Sequence, residues 1–251
     1  MSRSRSLRRR VSIWVALSWT PACAVGGDGG GGVPVSRQAV GCVPLEGTGR
    51  QVDSAALTEN VRAGRTYDCV LRAGSSPLRV TLVADSAANT ISRIELRRRS
   101  ESSPFQTLTE AQVEPPYRGA DFFSARDLDG DTYLDLLLLS EWGVTGNNFY
   151  HVWRWNSAAE RFAFDSTLSA IASPTPVAGR PCVTTRSNGG RAGMIYTAAT
   201  LCLERRKWVR VARDDQEWDE RARAYVRTVR EQRGDSLAVT RVDTVRDSTG
   251  Q

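Results

Sequence analysis

Apolar and polar side chains alternate through most of this chain, and that two-residue period limits what it can fold into more than any other feature. A strand turns successive side chains to opposite faces, so strict alternation describes a strand with one buried face. Leu78 to Ala84 (LRVTLVA) and Thr90 to Leu96 (TISRIEL) both alternate, and the short link Asp85 to Asn89 between them predicts a hairpin. Tyr133 to Leu139 (YLDLLLL) is nearly continuous in apolar residues, as in a strand buried on both faces. Further strands are expected at Phe149 to Trp155, Arg161 to Phe164, Cys182 to Arg186, Met194 to Leu203, Trp208 to Ala212 and Leu237 to Val245. Between Asp214 and Arg233 two periods compete. Trp218, Ala222, Tyr225 and Val229 fall at helical spacing, whereas Ala224, Val226 and Thr228 alternate. A helical turn followed by a strand from Ala224 is the expectation there.

Three segments share one layout of strand, polar turn and strand, each opening on a tyrosine. They are Tyr150 to Asp165, Tyr196 to Asp214 and Tyr225 to Asp243. The expected fold class is therefore all-β, an antiparallel meander. Its units stack radially as in a small β-propeller or face to face as in a β-sandwich.

The N-terminus has a different character. Arg3, Arg5, Arg8, Arg9 and Arg10 precede an apolar run, Val11 to Trp19, and then the small residues around Ala22-Cys23-Ala24. Basic, apolar and small segments in that order read as an export signal, and the apolar run is too short to span a bilayer. Residues 1–24 are expected to be a signal peptide or lipoprotein signal, 25–40 a Gly-rich linker, and 41–247 a single β-rich domain. Two cleavage readings stand: a cut after Ala24, or a cut after Ala22 that exposes Cys23 for lipidation. The second resembles bacterial lipoproteins, although Thr20 occupies the place where that pattern carries leucine.

The leader also accounts for the charge. The chain has 34 basic and 28 acidic residues, net +6, and without the five leader arginines 29 stand against 28, net +1. A nearly neutral mature chain gives no electrostatic reason to expect nucleic acid as a partner. Of the five cysteines, either cleavage reading removes Cys23 from the folded domain, and Cys42, Cys69, Cys182 and Cys202 remain. An even number in an oxidising compartment predicts two disulfides. Three connectivities are possible, and Cys42–Cys69 with Cys182–Cys202 closes the shortest loops. A zinc site is the rival reading, without a Cys-x-x-Cys pair and with His151 as the sole histidine.

The motif with specific chemistry is residues 127–135, Asp-Leu-Asp-Gly-Asp-Thr-Tyr-Leu-Asp. Asp127, Asp129, Asp131 and Asp135 sit at positions 1, 3, 5 and 9, and Tyr133 at position 7 offers a backbone carbonyl. Odd-numbered oxygens converging on one point suit calcium, which takes 6 to 8 oxygens at about 2.3–2.6 Å. The plainer alternative is a solvated acidic turn. Thr132 stands where such loops favour glycine for a sharp bend, and Leu138 stands where a helix-loop-helix calcium hand carries glutamate.

Asp127 to Leu136, opening onto a strand, resembles the calcium loop of FG-GAP and VCBS-type repeats. The continuation through Gly143, Gly146-Asn147-Asn148-Phe149-Tyr150, Val152 to Asn156 and Arg161-Phe162 is similar to a group of bacterial periplasmic lipoproteins. Some of that group inhibit lysozyme-like peptidoglycan hydrolases as immunity proteins. The resemblance covers roughly residues 121–165. It implies calcium as cofactor, with Asp127, Asp129, Asp131, Tyr133 and Asp135 as ligands. It also implies a periplasmic or envelope location, lipid-anchored or otherwise secreted, and a non-catalytic role.

No nucleophile elbow or phosphate loop is present. His151 lies in a strand-like run of aromatics, where packing is its expected role. Arg233-Gly234-Asp235-Ser236 is expected to be a hairpin turn. In Glu141 to Tyr150, the aromatics Trp142, Phe149 and Tyr150 either pack inward or form a partner-binding tip. The leading expectation is a binding module for a protein or polysaccharide of the cell envelope. The alternatives are a purely structural envelope lipoprotein, or a glycan hydrolase that pairs two carboxylates such as Glu141 and Asp165.

Overall fold

The alternating segments become strands in the computed structural model, which describes residues 40–45, 65–85, 90–113 and 122–245. These belong to one unit, Arg37–Gln251. The expected leader, Cys23 and almost all of the expected linker lie outside the described residues. Among the described residues, fifteen strands form three antiparallel sheets, each in sequential order. The first sheet runs β1 (Gly41–Pro44), β2 (Arg65–Val70), β3 (Leu78–Asp85), β4 (Thr90–Arg98) and β5 (Gln106–Leu108). The second runs β6 (Phe123–Arg126), β7 (Asp135–Trp142), β8 (Asn148–Asn156) and β9 (Arg161–Phe164). A single helical turn, α1 (Ser166–Ser169), leads to the third. That sheet comprises β10 (Thr175–Pro176), β11 (Cys182–Gly190), β12 (Ile195–Glu204), β13 (Lys207–Asp219), β14 (Ala224–Arg233) and β15 (Ser236–Val245). The expected all-β antiparallel meander is the architecture, and each sheet is open rather than closed on itself.

The second sheet is the middle of the packing. Leu136 and Leu138 of β7 and Trp153 of β8 belong to a core shared with the first sheet. Their neighbours Leu137 and Val152 belong to a second core, with Val183, Ala199 and Leu201 of the third sheet. Adjacent residues on one strand thus feed opposite cores, which is why β7 carries an unbroken apolar run where β3 and β4 alternate.

The expected hairpins form. β3 pairs with β4, β8 with β9, β12 with β13, and β14 with β15. Arg205 and Arg206 both adopt left-handed φ, 47° and 69°, between paired Glu204 and Lys207, as a type I′ turn requires. The Arg-Gly-Asp segment is the turn between β14 and β15, with Arg233 opposite Ser236 and Gly234 at φ 61°. One expectation is corrected: β13 runs on to Asp219, so no helical turn follows Asp214. Trp218 and Tyr225 lie opposite each other in the ladder, with ring centroids 4.9 Å apart. Their seven-residue separation reflects a hairpin rather than two turns of helix.

Both expected disulfides are present, Cys42–Cys69 and Cys182–Cys202. Each joins residues directly opposite in an antiparallel pair, so β1 is fastened to β2 and β11 to β12. They place the folded chain in an oxidising compartment. Among the described residues no helix is long and apolar enough to cross a membrane. The disulfide-bonded residues are 27 and 20 positions apart. Loop entropy at those lengths predicts roughly 3 kcal/mol of stability from each bond. Reduction is expected to lower the thermal midpoint, and four cysteines of the native domain are expected to resist alkylation until reduced. Four reactive thiols in the native, unreduced domain would contradict the pairing.

Candidate metal centre

The acidic loop is the connection between β6 and β7, closed by the pairing of Arg126 with Asp135. Gly130 and Thr132 both take left-handed φ, 76° and 74°. Thr132 therefore adopts the bend for which glycine is favoured, at a steric cost on the order of 1 kcal/mol. Carboxylates fold the loop around themselves. Asp127 accepts hydrogen bonds from the backbone N–H of Gly130 (2.7 Å) and Thr132 (3.0 Å). Asp129 accepts from Asp131 N–H (3.2 Å), and Asp131 from Tyr133 N–H (2.8 Å).

Asp135 is fully buried. Its two oxygens accept from Leu128 N–H at 2.9 Å and from Trp155 N–H at 3.0 Å. It therefore ties the start of the loop to the end and fastens both to β8. Burial pushes its carboxyl up to about 8; the two N–H donors oppose that shift and the nearby Asp129 charge adds to it. Burial also raises Asp131.

Carboxylate oxygens of Asp127, Asp129 and Asp135 lie within 4.8 Å of one another. Oxygens about 2.4 Å from a common ion stand at most about 4.8 Å apart, so these three fit one hard cation. Asp131 is not part of that group and points its Oδ1 at the Tyr133 amide instead. The Tyr133 side chain turns the other way, its hydroxyl accepting from Arg72 Nη1 at 3.0 Å.

A cation from the protein itself also reaches the loop, and it has no local signature in the sequence. Arg154 on β8 donates from Nη1 to Asp129 Oδ2 (2.8 Å) and from Nε to Asp165 Oδ2 (2.7 Å). Although burial works against its charge, these two carboxylates raise its pKa further. Asp165 caps α1 through Leu168 N–H (2.9 Å) and accepts from Trp208 Nε1 on β13 (2.8 Å). The Trp208 ring lies 5.6 Å from the Arg154 guanidinium carbon. The loop is thus wired through β8 and α1 to the third sheet.

The remaining candidates separate. His151 packs between Trp153 and Phe164, with centroids 5.9 and 5.8 Å away, and burial lowers its pKa. Trp142 is 60% exposed, Phe149 is half-buried, and Tyr150 packs against both cores. Only Trp142 of the three is presented outward. Glu141 is exposed, whereas both oxygens of Asp165 are committed to Leu168, Arg154 and Trp208.

No protein-family model matches this sequence, and no curated protein matches it. Among solved structures it is similar to a Xanthomonas type IV secretion system related protein. The identity is 16%, with 71% of this chain and 89% of that one covered, at a TM-score of 0.44. A likeness at that level carries no argument about function.

The buried acid sets a pH dependence for protein stripped of metal. The folded value of about 8 lies above the ~3.9 of an unfolded aspartate, so burial favours the protonated form. That contribution is complete below about pH 4 and is lost as pH rises to about 8. The thermal midpoint of chelator-treated protein is expected to fall with rising pH across this window more steeply than that of Asp135→Asn. Equal slopes would contradict the assignment.

Proposed function

We propose that this chain is an exported β-protein of the cell envelope, held in shape by calcium in its β6–β7 loop, which acts without catalysis by binding a partner. Inhibition of a peptidoglycan hydrolase is its most specific form. The observation that carries the calcium reading is the convergence of the Asp127, Asp129 and Asp135 carboxylates, one of them fully buried. Arg154 pairs with Asp129 and Asp165, and a divalent ion would supply counter-charge to Asp127 and Asp135 as well. The leader-like N-terminus and the disulfides support export. A lipid anchor at Cys23 in the periplasm is the form that the resemblance to lipoproteins favours.

Partner binding is supported by the tip between β7 and β8. Trp142 and Val144 project there, 60% and fully exposed. Behind them the loop is braced. Gly143 N–H donates to Asn147 O, and Asn147 and Asn188 exchange hydrogen bonds at 3.0 and 2.8 Å. Asn188 Nδ2 also reaches Thr145 O at 3.3 Å. A braced convex tip with an exposed indole suits insertion into a concave partner, because little ordering entropy remains to be lost. The committed oxygens of Asp165 weigh against the glycan-hydrolase alternative.

Two measurements test this. Calcium added to chelator-stripped protein is expected to stabilise the fold by roughly 2.7 kcal/mol at a hundredfold excess over Kd, read as a higher thermal midpoint. Assayed against lysozyme-like and other peptidoglycan hydrolases, the protein is expected to inhibit at least one. Trp142→Ala should weaken that inhibition by about thirtyfold. No inhibition of any class tested would remove the inhibitor form, and no shift at millimolar calcium would remove the metal.

A further inference from the structure

A cleft of about 590 Å³ lies where the first sheet meets the aromatic end of the second, with Phe105, Tyr133 and Trp155 among its walls. Its rings are fixed by their neighbours. Tyr133 and Trp155 lie nearly parallel, with centroids 6.2 Å apart and planes 28° apart. Arg72 sits 5.1 Å above the Tyr133 ring and donates to its hydroxyl. Phe162 meets Trp155 edge-on at 4.9 Å. Beside the rings runs a polar rail of both signs. Arg98 stacks 4.9 Å from the Phe105 centroid and binds Glu101 at 3.3 Å and Glu160 at 3.1 Å.

We infer that this cleft binds a neutral saccharide unit of a glycan chain, with the ring's C–H face on the aromatic side chains and its hydroxyls on the Arg98–Glu160 rail. Two properties point to that chemistry. Aromatic faces carry negative quadrupole charge and attract the weakly positive C–H bonds of a pyranose. The rail offers donors and acceptors together, so an anion meets Glu160, a cation meets Arg98 and Arg99, and a polyhydroxylated neutral ligand is opposed by neither. The volume lies within the roughly 300–1,000 Å³ typical of ligand pockets. This site is distinct from the Trp142 tip, and it does not require the hydrolase reading.

The test is calorimetric titration of the full chain with two soluble probes, an oligomer of β-1,4-linked N-acetylglucosamine and a malto-oligosaccharide. Binding of at least one at millimolar strength or tighter is expected. Tyr133→Ala removes one stacking face, and Ser157→Trp fills the cleft from an exposed turn without disturbing the core. Each is expected to weaken binding about tenfold or more. Absence of binding by folded wild-type protein to either probe at about 10 mM overturns the inference. So does binding that both substitutions leave unchanged. Because saccharide binding is read directly, a failure to inhibit hydrolases leaves this inference standing, and the reverse also holds.

Discussion

A carboxyl group with no solvent around it has to find its partners within the protein, and in this fold Asp135 is that group. It receives the amides of Leu128 and Trp155, and so holds together the loop that precedes β7 and the strand that follows. Immediately after it come Leu136, Leu137 and Leu138, which fill the two cores from opposite faces of one strand. The acid therefore sits where the loop's geometry and the register of the central sheet are set together. Moving it by one residue would exchange the faces of every apolar side chain on β7.

Around that acid the loop is organised as nested turns, each carboxylate accepting an amide two to five residues on. This arrangement leaves three oxygens converging and one aspartate aside. Arg154 then carries the charge balance outward, from Asp129 through Asp165 to Trp208. Loop, middle sheet and third sheet are coupled by one guanidinium, since buried pairs of this kind lose far more when one partner is removed than an exposed pair would. The exposed tip at Trp142 lies at the far end of the β7 strand that Asp135 begins.

Much of the fold was legible because the two-residue period survives wherever one face of a strand is wet. The β3–β4 hairpin, the Arg161–Phe164 strand and the restart at Ala224 follow from it directly. The short strands β2, β5 and β6 did not register, since RTYDCV, QTL and FSAR hold too few alternations to stand out. Trp218 and Tyr225 imitated a helix because a hairpin turn of the right length returns one indole to face one phenol. In the site, odd spacing picks out Asp127, Asp129, Asp131 and Asp135, and the fold brings carboxylate oxygens of the first, second and fourth within 4.8 Å of one another while Asp131 stands outside that group. Arg154 was invisible because its partners lie 25 residues before it and 11 after it. Pairings of that range come from strand topology, and no local spacing encodes them.

The central claim is that the acidic loop is built around one cation bound to the protein. Native mass spectrometry of chelator-stripped protein reloaded with calcium tests it most directly. The account predicts that wild-type chains gain the mass of a single calcium ion and that Asp135→Asn chains gain none under the same conditions. Wild-type protein that remains metal-free, or an Asp135→Asn variant that loads as fully as wild type, would contradict it.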